Sequence, residues 1–131
     1  MTETKRVPTR TSKALDPAVV AHKIGDIILD KKGCDLVVMD IESVATLGDF
    51  MVVATAKNTR QAQAIAQEII SATKALGVGR CDVEGAEQGW WVLLDCGDVI
   101  VHIMHEDARR YYNLEMLWSD ARVVRRAASV A

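Results

Sequence analysis

Residues 89–104 read GWWVLLDCGDVIVHIM. Two runs rich in β-branched and aromatic residues flank DCGD at positions 95–98, whose glycine can adopt a positive φ, and this pattern predicts a β-hairpin. If the central Cys and Gly form a two-residue loop, Asp95 lies opposite Asp98 and Trp91 lies opposite His102. The hairpin is therefore expected to carry an aromatic residue, an imidazole and two carboxylates close together.

Strand alternation divides the side chains of the hairpin between two faces. One face is wholly apolar and is predicted to be core: Trp90, Val92, Leu94, Val99, Val101 and Ile103. The other face is mixed: Trp91, Leu93, Ile100 and Met104 with Asp95, Asp98 and His102. Like charges directly opposite each other destabilise a strand pair, and tryptophan is enriched at binding hot spots. We therefore expect the mixed face to bind a partner. The alternative is a sheet face covered by a helix, and a one-residue slip in register would exchange the two faces.

Composition restricts the class of protein. The chain has 131 residues, of which 50% are hydrophobic and 26% charged, with a net charge of −2. This length fits one domain, and the weakly acidic charge argues against a general nucleic-acid binder and against DNA as a partner. No apolar run approaches the ~18 residues of a membrane span, and the polar N-terminus lacks a signal-peptide segment. We therefore expect a cytoplasmic protein without a membrane partner, in which Cys34, Cys81 and Cys96 are reduced thiols.

The remaining patterns predict a single α/β domain over residues 15–120, between a flexible N-terminal tail (1–14) and a flexible, fraying C-terminal tail (121–131). Asp16-Pro17 is typical of a helix start, and Gly33 closes that helix. The other expected elements are strands over 35–41 and 49–55, a helix from Asn58 or Thr59 to about Leu76, a short edge strand over 81–83, the hairpin, and a helix from Glu106 to Trp118. This order indicates a mixed β-sheet of about five strands with helices packed on at least one face.

Carboxylates provide the alternative, enzymatic hypothesis. Asp40, Glu42 and Asp49 could hold Mg²⁺ for a metal-dependent nucleotidyltransferase or phosphohydrolase. Such an enzyme needs a glycine-rich turn before a helix to hold phosphates, and the helix start at residues 57–60 contains no glycine. His102 and His105 straddle a strand end and a helix start, where their rings need not converge on a zinc ion. We therefore expect no catalytic residues, no metal and no cofactor.

The chain resembles the ribosomal silencing factor family, RsfS or Iojap, over about Ala18–Ser119. The resemblance rests on Glu84-Gly85, on WVLLDCGDVIVHIM at 91–104 and on RRYYNLEMLW at 109–118. It implies a nucleotidyltransferase-like fold without that activity, because Gly48-Asp49 replaces the Gly-Ser of the transferases and no Asp-x-Asp follows. Cys96 stands where the family often has a larger residue.

The resemblance also implies a partner and a mechanism. Family members bind the large ribosomal subunit through its L-fourteen protein and sterically block association with the small subunit, which represses translation when nutrients are short. Contact with rRNA is expected to be minor, and the chain to be a monomer or a weak homodimer. The implied contact residues lie almost entirely on the mixed face of the hairpin: Trp91, Asp95, Asp98, His102, Met104 and Tyr112.

Overall fold

The computed structural model describes residues 16–43, 48–112 and 121–127, which form helices packed on one six-stranded mixed sheet. The helices are α1 (Pro17–Asp30), α2 (Thr59–Ala75) and α3 (Glu106–Tyr111). The strands are β1 (Cys34–Asp40), β2 (Phe50–Ala56), β3 (Asp82–Glu84), β4 (Trp91–Asp95), β5 (Val99–His105) and β6 (Arg122–Ala127). Their spatial order is β3-β4-β5-β2-β1-β6, in which β2 and β5 pair parallel and every other pair is antiparallel. The predicted mixed α/β sheet is confirmed, with one strand more than expected.

The main core lies between α1, α2 and one face of the sheet. Ile24 of α1 and Ile65 of α2 are almost completely buried against strand residues such as Val52 and Val101. Both helices begin where the sequence predicts, because Asp16 accepts the amide of Ala18 and the Asn58 side chain caps α2. None of the helices in the described ranges has the length and apolar character needed to cross a bilayer.

The opposite face of the sheet carries a smaller core. Met39, Met51 and Met104 are buried there, and Ala108 of α3 packs against this cluster. This is the mixed face of the hairpin, so part of that face is covered by a helix and part remains open. The predicted helix over 106–118 is observed as Glu106–Tyr111, and residues 113–120 lie outside the described residues, as do residues 1–14 of the predicted N-terminal tail.

The hairpin is confirmed, but its predicted register is wrong by two residues. Trp91 pairs with Met104 and Leu93 with His102, and the amide of Cys96 donates to the carbonyl of Val99, so the two-residue loop lies one position later than predicted, at Gly97-Asp98. A shift of two positions leaves each side chain on its predicted face, because strand side chains alternate with a period of two. The division into an apolar and a mixed face therefore survives the error.

Trp90 departs from the predicted apolar face. It is 42% exposed and stacks on the ring of His105 at a centroid distance of 5.3 Å. The reason is local: Gly89 has φ +66°, which turns the chain immediately before β4 begins at Trp91. Trp90 therefore stands outside the strand.

The predicted fraying after Ala121 is wrong for residues 122–127, which form the edge strand β6 against β1. Its sequence, RVVRRA, lacks a clear alternation of apolar residues. Arg122 bonds Asp40 at 2.9 Å and Arg125 bonds Asp26 at 2.8 Å. The partners that hold this strand are distant in sequence, so a local pattern does not show them.

The structure departs from the prediction of three reduced thiols, because it holds one disulfide. Cys34 is free and buried, whereas Cys81 and Cys96 form a disulfide with a Cα–Cα distance of 4.4 Å. Cys81 directly precedes β3 and Cys96 directly follows β4. Because Asp82 pairs with Asp95, the strand register places the two cysteines side by side.

Candidate protein-binding surface

Trp91 lies at the centre of the open part of the mixed face. It is half-buried, and its indole Nε1 donates a hydrogen bond of 2.9 Å to Nδ1 of His102. His102 is diagonal to Trp91 across β4 and β5 rather than directly opposite, a separation that an aromatic side chain can bridge. The hydrogen bond fixes the orientation of the indole ring.

The environment of His102 requires the neutral imidazole. Burial lowers its pKa from the ordinary value of 6.5 to about 4, because the charged ring would lose its hydration. The accepting role of Nδ1 gives a second reason, since a protonated imidazole has no lone pair left for the Trp91 N–H. His102 is therefore a supporting acceptor beneath Trp91, and it is 8% exposed.

Two tyrosines extend the aromatic surface onto α3. The Tyr112 ring lies 4.9 Å from Trp91, and Tyr111 meets Tyr112 edge to face at 4.8 Å. Tyr112 is 42% exposed and Tyr111 is 77% exposed. Buried Ala108 anchors the helix on the sheet, so these rings are held at the surface by the same contact that covers Met104. Tyr111 therefore does not pack on the sheet.

A shallow cavity of about 270 Å³ opens beside Trp91, lined by Glu84, Gly85, Trp91, Leu93 and His102. We call these five residues together with Tyr112 the Trp91 surface. Gly85 has φ +82°, and a Cβ at this position would lie 2.2 Å from the carbonyl oxygen of Trp91. Only glycine lets the loop after β3 approach β4 this closely, so Gly85 sets the floor of the cavity.

Carboxylates border the Trp91 surface along β3 and the hairpin tip. Asp82 is the register partner of Asp95, and both are exposed. The predicted opposition of Asp95 and Asp98 is wrong, since Asp95 pairs with Ile100 and Asp98 lies in the turn. The like-charge argument therefore applies to Asp82 and Asp95, with Arg80 bonded to Asp82 at 2.7 Å.

The six residues expected at the partner interface thus differ in accessibility. Trp91 is half-buried, Asp95, Asp98 and Tyr112 are exposed, and His102 is nearly covered. Met104 is 0% exposed and packs beneath α3, so it supports the surface from below.

Sequence reasoning from the residues missed the contribution of β3 to this surface. Asp82 and Glu84 are exposed while Val83 between them is half-buried, which is the alternation of an edge strand. That three-residue pattern is the signal that could have placed two further carboxylates beside the hairpin.

The acids of the enzymatic hypothesis do not form a metal centre. Arg122 bonds Asp40 and lowers the pKa of that carboxyl, mainly through the hydrogen bond, while the amide of Glu42 also donates to it. Burial raises the pKa of Asp49, with a smaller contribution from the charge of Asp98. Within residues 16–43, 48–112 and 121–127, no group of three or more His, Cys, Asp or Glu side chains is placed to hold a metal ion.

Solved structures share this fold. A crystal structure from Chromobacterium violaceum is similar with a TM-score of 0.77 and 35% sequence identity, covering 80% of this chain and 88% of that chain. A second, from Bacillus halodurans, has a TM-score of 0.72 and 33% identity, covering 84% and 99% of the two chains. The chain is thus one of a class of small mixed α/β domains found in several bacteria.

Sequence comparison identifies the family within that class. The family described as "Ribosomal silencing factor during starvation" matches residues 14–130. The ribosomal silencing factor RsfS of Halalkalibacterium halodurans is 41% identical over 95 residues, covering 72% of this chain and 81% of the relative. That of Bacillus subtilis is 40% identical over 92 residues, covering 70% and 78%. The chain belongs to the ribosomal silencing factor family.

Proposed function

We propose that this protein binds the large ribosomal subunit through its L-fourteen protein and sterically blocks association with the small subunit. The proposal places the protein in the cytoplasm, where it would repress translation under nutrient limitation. The observation that carries it is the Trp91 surface, an aromatic patch held in a fixed orientation on an otherwise well-packed domain.

The chemistry of the Trp91 surface suits a protein partner. Trp91 and Tyr112 offer rigid apolar area with few rotatable bonds, which is typical of residues that dominate binding energy. Leu93 and the cavity beside it can accept an aliphatic or aromatic side chain from the partner. The surface therefore provides both a contact area and a pocket for one anchor residue.

The charges around the surface favour a basic protein over rRNA. Glu84, Asp82, Asp95 and Asp98 are exposed around the patch, and the chain carries a net charge of −2. These carboxylates would repel RNA phosphates but would meet lysine, arginine or backbone amides of a ribosomal protein. Their contribution is to orientation and association rate more than to affinity.

The proposed silencing requires no chemical step. A bound copy would occupy the face where the small subunit docks, so the fraction of large subunits removed depends on concentration and affinity alone. A rigid hairpin favours binding, because a preorganised surface loses little conformational entropy when the complex forms.

Two adjacent tryptophans provide the test. Trp91→Ala removes the centre of the surface, whereas Trp90→Ala removes an exposed tryptophan that stacks on His105 outside the strand. In co-sedimentation with purified large subunits, Trp91→Ala should weaken binding by at least ~30-fold, which corresponds to about 2 kcal/mol, and Trp90→Ala by less than ~3-fold.

The same two variants test the consequence for subunit joining. Light scattering of mixed subunits should show inhibition by wild type and by Trp90→Ala, with inhibition lost in Trp91→Ala. Unaltered joining in the presence of excess wild-type protein would refute the proposed function. Equal loss of binding in both variants would refute the assignment of the surface.

A further inference from the structure

We infer that Cys81 and Cys96 form a reversible thiol–disulfide site whose oxidation state controls the order of β3, and through β3 the Glu84 edge of the Trp91 surface. The co-substrate is a low-molecular-weight thiol or its disulfide. The effect on partner binding rests on the proposed function, whereas the redox chemistry and the order of β3 do not.

The two cysteines lie opposite each other at the end of the β3–β4 ladder. Cys81 and Cys96 occupy the register step directly beyond the Asp82–Asp95 pair, with a Cα–Cα distance of 4.4 Å. This separation lies at the short end of the range that disulfides span, so neither strand has to move for the bond to form. The dithiol and the disulfide are therefore both compatible with the β3–β4 pairing.

The pairing of β3 with β4 is weak. This edge strand has only three residues, and its first pair with β4 places Asp82 against Asp95. Short strands with a like-charge pair gain little from their ladder. The disulfide stands at the end of the ladder where the carboxylates repel each other, so it compensates the least favourable pair.

The two cysteines also differ in accessibility in the way that exchange requires. Cys96 is 3% exposed and belongs to the main core, whereas Cys81 is half-buried at its edge. A cleft of about 140 Å³ between Pro17, Val78 and Gly97 reaches Cys96 from outside. Because Cys81 is the more exposed residue of the pair, a small reagent can attack it first, and the cleft opens on the Cys96 side.

The exchange balances in two steps. The Cys81 thiolate attacks a low-molecular-weight disulfide, forming a mixed disulfide and releasing one thiolate. The Cys96 thiolate then attacks the Cys81 sulfur, which forms the intramolecular bond and releases the second thiolate. The chain loses two protons and two electrons, and the reagent gains both as two thiols. Reduction follows the same route in reverse.

The direction of control follows from the compartment. In a reducing cytoplasm the pair would rest as the dithiol, and oxidation would close the bond. In the dithiol form β3 loses its covalent tie to β4, so Glu84 and the adjoining Gly85 loop open more often than in the disulfide form. Oxidation fixes Glu84 at the cavity beside Trp91.

The experiment uses the full chain with Cys34→Ala, which leaves this pair as its only thiols. The protein is equilibrated in buffers of reduced and oxidised glutathione, quenched in acid and alkylated, and its mass is measured. Reversible gain and loss of two alkyl groups is expected. A pair that stays fully alkylated in excess oxidised glutathione, or that stays unalkylated in excess reduced glutathione, overturns the inference.

Hydrogen exchange supplies the structural readout. The β3 amides should exchange at least ~10-fold faster in the reduced form than in the oxidised form, while the α2 amides keep their rates. Cys81→Ser in the same background should exchange like the reduced form in both buffers. Equal β3 exchange rates in the two oxidation states overturn the inference even if the bond forms.

Binding to large subunits separates this inference from the proposed function. Tighter binding of the oxidised form supports the link between β3 and the Trp91 surface, and equal binding of both forms overturns that link. If neither form binds, the proposed function fails, and the alkylation and exchange results still decide the redox site.

Discussion

Acid should destabilise this protein through His102, and the size of the effect can be worked out from the structure. Burial lowers the pKa of His102 from 6.5 to about 4 in the folded state, and the unfolded chain restores the ordinary value. Between these two values the unfolded state binds more protons than the folded state. Stability therefore rises with pH across this window and is lost as the pH falls through it.

The free energy follows from the two pKa values. Proton linkage lowers the free energy of unfolding by about 2 kcal/mol when the pH falls from about 7 to about 5. The decrease approaches about 3 kcal/mol near pH 4. The structural cause is specific, because protonation of Nδ1 removes the acceptor that holds the Trp91 indole. Acid should thus loosen the Trp91 ring as well as the fold.

The assay is urea unfolding at about pH 7 and pH 5, followed by circular dichroism, with a matched variant. His102→Asn keeps an acceptor near the Nδ1 position but does not titrate, so it should lose most of the pH dependence. It should also be about 1 kcal/mol less stable at neutral pH, because a smaller side chain leaves a gap. His22→Asn on α1 is the control, because this histidine lies outside the Trp91 surface.

The difference between wild type and His102→Asn isolates this histidine from the other acid-sensitive groups. If both proteins lose the same free energy between the two pH values, His102 does not carry the effect and the derived cause is wrong. A pH dependence that disappears in His22→Asn instead would refute the assignment.

Three further substitutions test other parts of the structure. Tyr112→Ala should weaken large-subunit binding by at least ~10-fold with an unchanged melting temperature, and a large loss of stability would show that the ring is a packing residue instead. Gly85→Ala should lower the free energy of unfolding by at least about 2 kcal/mol more than Gly77→Ala, since both glycines have similar positive φ but only Gly85 would meet backbone within 4 Å. Similar stability of these two variants by thermal unfolding would refute the close approach to Trp91. Val101→Asp should fail to fold, because Val101 is 0% exposed among the apolar side chains of the main core, so a native circular dichroism spectrum would contradict the assigned core.

Most of the fold could be predicted because its signals are local. The Asp16-Pro17 pair fixed the start of α1 to the residue, the choice between Asn58 and Thr59 placed the start of α2 within one residue, and the apolar run of β5 marked a central strand. These features depend on neighbours within a few positions. Strand β6 could not be found in this way, because Arg125 depends on Asp26, 99 residues earlier in the sequence, and Arg122 depends on Asp40, 82 residues earlier.

The hairpin shows how a wrong detail can leave a correct division of faces. The two-residue loop is Gly97-Asp98 and not Cys96-Gly97, because the Cys96 amide donates to the carbonyl of Val99 and the carbonyl of Asp98 accepts from the amides of Asp49 and Phe50. Nothing in the local sequence of the hairpin indicates these hydrogen bonds to Asp49 and Phe50. The resulting register shift is two residues, an even number, so each side chain stays on its predicted face of the hairpin.

The disulfide was missed for a related reason. A spacing of fifteen residues between Cys81 and Cys96 gives no motif, and the pair becomes evident only when β3 and β4 are placed in register. The number and spacing of the cysteines do not identify which of them can meet.

The candidate surface depends on contacts at two ranges of sequence separation. Trp91 and His102 are eleven residues apart, within reach of hairpin reasoning, and their hydrogen bond fixes the indole. The tyrosine that completes the patch depends on α3 docking through Ala108, which needs the second core to exist. A surface built this way resists deformation, because the indole cannot rotate without losing its buried acceptor and α3 cannot leave without uncovering Met104. For a protein proposed to act only by occupying a face of the ribosome, that rigidity is the property that binding requires, and it explains why His102 and Met104 matter to the surface although a partner would barely touch them.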